Sequence, residues 1–228
     1  MFLNMDMPNF IISFFQLLSY FVFYIPLRIF YLIEGEPPSN IKELKRGSLL
    51  VSNHQSYLDP WIVMHKIPFW VGLRLLPIYF PIAHKYMGNP YFSRILKLVG
   101  GYDIGATSRE NMLGLIYTRR LLSEGKTVFL FPEGKIARNG SEILEFKKGI
   151  EFFTKDAKNI IFVRMKGFNE VKLPCFLADC KMALSDVQNI EGKDISVKKL
   201  KLIFNSLDNF VARNGVWQFE WQRRFYLH

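Results

Sequence analysis

Apolar residues fall along this chain in blocks of three kinds. The first is the eighteen-residue stretch from Phe10 to Leu27, which carries no formal charge. It reaches the lower length limit for a membrane-crossing helix. Pro26 and Arg28 interrupt it, and Tyr20, Tyr24 and Tyr31 suit a membrane interface, so a helix or kinked hairpin entering one leaflet fits as well as a full span. A buried core helix gives the same pattern. The stretch has neither a basic start nor a small-residue cleavage site, which argues against a cleaved signal peptide.

The second kind is a short, unbroken apolar run. Leu49 to Val51, Thr127 to Phe131 and Ile160 to Met165 each predict a strand buried on both faces, as in a parallel sheet. A further strand is expected near residues 174–180. The third kind has helical spacing. Pro90 to Val99 predicts an amphipathic helix closed by Gly100-Gly101, Asn111 to Leu122 a second one, and residues 196–212 a third. Between these lies an aromatic, proline-broken stretch from Ile67 to Tyr91 with no 3.6-residue period. It suits an apolar ligand slot, a lipid contact or ordinary core equally. Alternating strands and helices define an α/β fold, with a central mostly parallel sheet flanked by helices. The Pro/Gly linker from Glu34 to Asn40 divides an N-terminal membrane-associating segment (1–33) from one catalytic-sized domain (34–228).

Composition narrows the partner. Half of the 228 residues are hydrophobic, 22 are Phe, the formal charge is +10 and the mean hydropathy is +0.08. A basic balance admits nucleic acid, an anionic membrane or an anionic substrate. No basic helix with base-reading residues and no aromatic RNA-binding strand accompanies it, so nucleic acid is not expected. Excess apolar and basic character together favour a membrane surface. Lys42, Lys45 and Arg46 follow the apolar segment closely, which places the remaining domain on the cytoplasmic side. Cys175 and Cys180 are read as free thiols in a reducing compartment, and the four scattered His show no metal-ligand spacing.

The candidate chemistry lies where the first buried strand ends. Leu49-Leu50-Val51 stops at the polar pair Ser52-Asn53, and Asp59-Pro60 then offers an N-cap and a proline at the first helical position. His54 therefore sits on a tight loop and Asp59 at a helix start. On one continuous helix the two would be about 140° apart, whereas a loop that turns back brings them together. A carboxylate on one imidazole nitrogen fixes the tautomer and lets the other accept a proton near neutrality. With no Ser or Cys nucleophile in the pattern, such a pair would activate a substrate hydroxyl. The structural alternative is a loop histidine beside a helix cap. Glu133 leaves the end of the Thr127–Phe131 run as His54 leaves Leu49–Val51, so both face the crevice where open α/β sheets bind ligands.

Asn53-His54-Gln55-Ser56-Tyr57-Leu58-Asp59 resembles the NHxSxxD signature of the glycerolipid acyltransferase family, Phe131-Pro132-Glu133-Gly134 its FPEG block, and Phe146-Lys147-Lys148-Gly149 the FKxG that follows. The resemblance covers roughly residues 45 to 170. It implies that His54 is the general base and Asp59 its partner, with Glu133 and Gly134 at the glycerol-phosphate end of the acceptor. It also implies a thioester donor, acyl-CoA or acyl carrier protein, and no cofactor or metal. Backbone amides near Asn53 to Gln55 are candidate donors to the developing oxyanion.

Departures from the family pattern bear on the acceptor. Lys135-Ile136-Ala137-Arg138 stands where Thr-Arg-Ser usually follows FPEG, and Ala106 stands where an Arg is expected, with Arg109 three residues on. Val163-Arg164-Met165 lacks the usual strand Pro. A cluster of Lys135, Arg138 and Arg109 is expected to hold the acceptor head, with Arg164 as the reserve. The expected activity is a membrane-associated O-acyltransferase acting on a lysoglycerolipid, first of all 1-acylglycerol-3-phosphate, giving phosphatidate. Another lysophospholipid or an amino-acid-containing lysolipid, a silent lipid-binding module and a thioesterase-like hydrolase are the alternatives.

Overall fold

The computed structural model describes residues 7–136, 146, 149–168, 178–191 and 195–213. Helix α1 (Asn9–Phe30) runs directly into strand β1 (Tyr31–Glu34), and a 3-10 turn (Ile41–Glu43) leads to β2 (Ser48–Ser52). Helices α2 (Asp59–Lys66) and α3 (Phe69–Leu75) precede β3 (Ile78–Ile82). The short α4 (His84–Met87) and α5 (Pro90–Leu98) precede β4 (Gly101–Asp103), and α6 (Ser108–Ser123) precedes β5 (Thr127–Leu130). Then follow α7 (Ile150–Thr154), β6 (Asn159–Lys166), β7 (Ala178–Leu184), β8 (Gln188–Asn189) and α8 (Val197–Arg213).

The strands make one sheet in the order β1-β7-β6-β2-β5-β3-β4, with β8 paired to β6. Every pairing is parallel except those of β7 and β8 with β6. The expected mostly parallel α/β sheet is present. Its central strands are buried on both faces, which is why they read as continuous apolar runs. Leu49, Val51, Val128, Ile160 and Phe162 face a core closed by α6, α7 and α8. Leu50, Phe129, Ile161, Val163 and Met165 face the opposite core, shared with α1, α2 and α3.

The N-terminal apolar stretch is one continuous 22-residue helix with Pro26 inside it, not a kinked hairpin. One of its faces is joined to the body. Gln16 donates to the carbonyls of Ile78 and Val99 and accepts from the Ile78 amide. Tyr79 donates to Asn9 at 2.7 Å, Trp61 donates to Ser19 at 3.0 Å, and Ile12 and Leu27 are buried. Gly100, at φ +90°, permits this contact, since a Cβ there would lie 2.3 Å from the Ile78 carbonyl oxygen. The outer face carries Phe10, Phe14, Leu18, Phe21, Val22, Ile25 and Ile29, all exposed.

Three elements differ from expectation. The tail of the apolar stretch enters the sheet as β1, pairing Tyr31 to Glu34 with Ala178 to Lys181, so the sheet takes in residues on both sides of the 33–34 boundary. The aromatic stretch from Ile67 contains α3, β3 and α4. The strand expected at 174–180 is observed from Ala178 to Leu184, residues 174–177 lying outside the described residues. Gln16→Ala should strand the Ile78 amide and two carbonyls at the α1 interface. We expect a loss of about 1–3 kcal/mol of stability, read as a lower denaturant midpoint in detergent solution.

Candidate active site

Strand β2 is pinned to β6 immediately before the loop that carries His54. The Asn53 side chain donates to the Met165 carbonyl at 2.9 Å and accepts from its amide at 2.7 Å. Gln55 accepts from the Phe168 amide. Two buried amides thus fix the loop on the carboxyl end of the sheet from both sides of His54.

Inside that loop, His54 Nδ1 lies 2.8 Å from Asp59 Oδ2. Asp59 has no exposed surface, yet it is not a bare buried charge. Oδ2 also accepts from the Gln55 amide at 2.7 Å, and Oδ1 accepts from the Ser56 amide at 2.9 Å and the Ser56 hydroxyl at 2.8 Å. Asp59 was expected as the N-cap of α2. The helix begins one residue earlier than that, with Leu58 as N-cap, and the Asp59 carboxylate reaches back to the loop amides instead of capping its own helix. Since a carboxylate only accepts, the Nδ1 position carries the proton and Nε2 is left as the proton acceptor. The His54 ring stacks on Phe131 with centroids 3.9 Å apart and an interplanar angle of 17°, which fixes its orientation.

Glu133 is buried beside this loop, and the His54 amide points to its Oε2 at a long 3.5 Å. The amides of His54 and Gln55, candidate oxyanion donors from the sequence, are therefore directed at carboxylates. Gly134 adopts φ +67° and its amide donates to the Phe131 carbonyl, closing the turn that leaves Lys135 exposed. Arg109 is exposed on the first turn of α6. Arg138, Lys147 and Lys148 lie outside the described residues. Arg164 faces away from the crevice: it is buried, its Nε donates to Asp208 at 2.5 Å, and it lies over the Phe204 ring of α8. It does not serve as a reserve for the acceptor head.

A second His–Asp pair lies on the same sheet edge and has no signature in the sequence. His84 Nδ1 is 2.7 Å from Asp103 Oδ2, joining α4 to the end of β4. Only the parallel register of Ile82 with Asp103 brings the two together. The Tyr57 and Tyr86 hydroxyls, 2.9 Å apart, tie this region to the His54 loop.

An acyltransferase family model matches residues 33–164, more than half of the chain, and the chain belongs to that family of enzymes. Among solved structures it is similar to the 1-acyl-sn-glycerophosphate acyltransferase PlsC from Thermotoga maritima. The two share 18% identity at a TM-score of 0.59, over 89% of this chain and 79% of that one. No curated protein matches. The α/β architecture and the assignment as an acyltransferase therefore stand.

The geometry makes two variants informative. His54→Ala should lower acyl transfer by at least the roughly 10²–10⁴-fold that a positioned base contributes, with the fold retained. Asp59→Asn removes an acceptor from a loop that presents four donors. It should lower turnover strongly and also lower the melting temperature, a pairing that His54→Ala should not show.

Proposed function

We propose that this protein transfers a fatty acyl group from acyl-CoA or acyl carrier protein to the free hydroxyl of a lysoglycerolipid at a membrane surface. The first-choice acceptor is 1-acylglycerol-3-phosphate, giving phosphatidate. The carrying observation is His54, held at Nδ1 by Asp59, with no Ser, Thr or Cys side chain hydrogen-bonded to its ring among the described residues. The hydroxyls of the serines flanking it in sequence are committed elsewhere, Ser56 to Asp59 and Ser52 to the Asn53 carbonyl. The acceptor must bring the nucleophile.

In this mechanism His54 Nε2 takes the proton of the acceptor hydroxyl as its oxygen forms a bond to the thioester carbonyl carbon. The negative charge of Asp59 stabilises the imidazolium. The carbon–sulfur bond then breaks, and the leaving thiolate recovers the proton from His54, so ester and free thiol are the products. The chemistry calls for no further cofactor. Glu133 and Gly134 are assigned to the glycerol end of the acceptor, and the exposed Lys135 and Arg109 to its charged side.

The acyl chain has a place to go. A narrow apolar cavity opens beside Pro60, next to Asp59, and runs between α1, α2 and α3 over β3 and β5, lined by Leu17, Trp61, Met64, Gly72, Ile78 and Phe129. Filling it should shorten the preferred chain. A Cβ at Gly72 meets only the flexible end of Met64, at 3.1 Å. Gly72→Ala is therefore expected to fold normally, and Gly72→Leu to shift the product profile toward shorter chains by several-fold.

Membrane association is supported by exposed apolar side chains on three helices: the outer face of α1, Trp70 and Leu73 on α3, and Tyr91, Phe92 and Ile95 on α5. Patches of this extent mark a lipid or partner contact. The α1 helix is long and apolar enough to cross a membrane, but its inner face is bonded to the sheet, which favours lying in one leaflet. Lys42, Lys45 and Arg46 favour a cytoplasmic face. Replacing Phe14, Phe21 and Ile25 together by Ser should reduce co-sedimentation with vesicles without lowering the melting temperature; unchanged sedimentation would remove α1 as the contact.

The absence of arginine at Ala106 and Ile136, and the engagement of Arg164 with Asp208, keep a different lysophospholipid or an amino-acid-containing lysolipid as the second acceptor reading. The purified protein, offered a panel of lysolipids with acyl-CoA or acyl carrier protein, should yield phosphatidate from the phosphate acceptor, identified by mass. Free fatty acid as the main product would instead mean a hydrolase.

A further inference from the structure

We infer that the cleft at the amino ends of β2, β5 and β3 binds an anionic phospholipid, with its phosphate at Arg46 and Lys126 and its chains along α1. The cleft lies at the opposite end of the sheet from His54. Its lipid is therefore no substrate, and the inference does not depend on which acceptor is acylated.

Three turns meet at this end of the sheet. The strand order β2-β5-β3 is parallel throughout, with Leu49 level with Val128 and Ile78 level with Thr127. The turns that enter these strands carry Arg46, Lys126 and Pro77, so they share the amino edge as His54 and Glu133 share the carboxyl edge. Between them, the start of α1 and the end of α3 lies a cleft of about 650 Å³, well within the range of ligand sites. A Cβ at Gly125, which adopts φ +72°, would meet nothing within 4 Å, so the turn before β5 borders open space.

The lining divides by polarity. Phe10, Phe14 and Leu17 of α1, with Leu73, Leu76 and Pro77 after them, make an apolar wall. The other side is basic. Arg46 Nη2 donates to the Leu76 carbonyl at 2.7 Å, which fixes the guanidinium at the cleft and leaves its other N–H groups for a ligand. The Lys126 ammonium has no hydrogen-bond or ion-pair partner among the described residues. Glu124, the acidic member of the lining, accepts instead from Arg120 at 2.8 Å. Thr127 lines the floor with no exposed surface, and its hydroxyl has no hydrogen-bond partner among the described residues. Val128 and Leu130 face the α6–α8 core and Phe129 the α1–α3 core, so strand alternation turns the Thr127 side chain toward α1 and the cleft. A buried hydroxyl that the protein leaves unpaired is met from outside it, by a ligand or by water.

These features select an amphiphilic anion. Inorganic phosphate would leave the apolar wall unmet, and a neutral chain would use neither cation. A phosphodiester between a guanidinium and an ammonium gains charge-assisted bonds from both. Phe10 and Phe14 also belong to the exposed outer face of α1. The cleft thus opens onto the face proposed to touch lipid, and a bilayer phospholipid reaches it without leaving the membrane.

The test counts lipids held by the full chain in neutral detergent, by mass spectrometry of the intact complex, with phosphatidylglycerol or phosphatidylcholine as probe. One phosphatidylglycerol should be retained per chain, and phosphatidylcholine roughly tenfold more weakly. Lys126→Ala should weaken phosphatidylglycerol retention roughly tenfold, the loss expected for one charge-assisted bond, with the melting temperature unchanged. Ser13→Trp fills the cleft from α1 without altering charge and should abolish retention. Lys45→Ala, at an exposed lysine outside the lining, should change it less than about twofold. The inference is overturned if phosphatidylcholine is held as well as phosphatidylglycerol, if Lys45→Ala matches Lys126→Ala, or if Ser13→Trp still retains the lipid. Displacement of the phospholipid by an equal concentration of oleate or free coenzyme A also overturns it, giving the cleft to a fatty acid or to the donor. Lys126→Ala keeps the test open should Ser13→Trp fold poorly. Every readout is binding, so a parent that retains phosphatidylglycerol but acylates no lysolipid counts against the proposed function alone.

Discussion

A carboxylate with no exposed surface persists as an anion only when its lone pairs are met, and at Asp59 four donors meet them. Three of these come from the Gln55 and Ser56 backbone and the Ser56 hydroxyl, and they set the shape of the loop. The fourth is the imidazole, so folding of the loop and orientation of the base are one event. Asn53 carries that rigidity into β6 and Gln55 into the turn just after it, and Phe131 stacks on the ring. The imidazole is thus positioned by the same bonds that satisfy the buried carboxylate, so its orientation is set before any ligand binds.

The rest of the fold is arranged around that point. The parallel sheet brings the ends of β2, β5, β3 and β4 to one edge, where titratable side chains meet. The β3–β5 ladder ends at Tyr79 and Val128, after which β3 pairs with β4. On the other side of His54, α1 roofs an apolar cavity, and its Gln16 fixes the roof to β3 and α5 by backbone bonds. A polar head at the strand ends and an apolar chain under α1 is the division an amphiphilic substrate demands. The outer face of α1 continues the apolar surface, so the cavity roof and the exposed apolar face are two sides of one helix.

Much of this was legible in the chain. The buried central strands are uninterrupted apolar runs, and the His54 loop is flanked by a polar turn and a proline that mark its limits. What stayed hidden depends on partners distant in sequence. The first three residues of β1 are apolar or aromatic and contiguous with α1, so nothing local separates strand from helix until β7 pairs with them. β3 carries Pro81, which reads against a strand, yet Pro81 falls beyond the last β5 pairing and costs that ladder no donor. Asp59 has the local signature of a helix cap, and only the folded loop shows its oxygens turned upstream. His84 and Asp103, nineteen residues apart, become neighbours through the register of two parallel strands. Arg164 looked available in a strand, but the alternation of side chains sends it to the α8 face.

The account turns on which imidazole nitrogen of His54 carries the proton. Nitrogen-15 spectra of the histidine-labelled protein, with the His54 signals assigned by loss in His54→Gln, report the tautomer directly. The account predicts a neutral ring protonated at Nδ1, hydrogen-bonded to Asp59, with Nε2 bare. A ring protonated at Nε2 in the active protein would contradict it, because the nitrogen facing the acceptor could then take no proton.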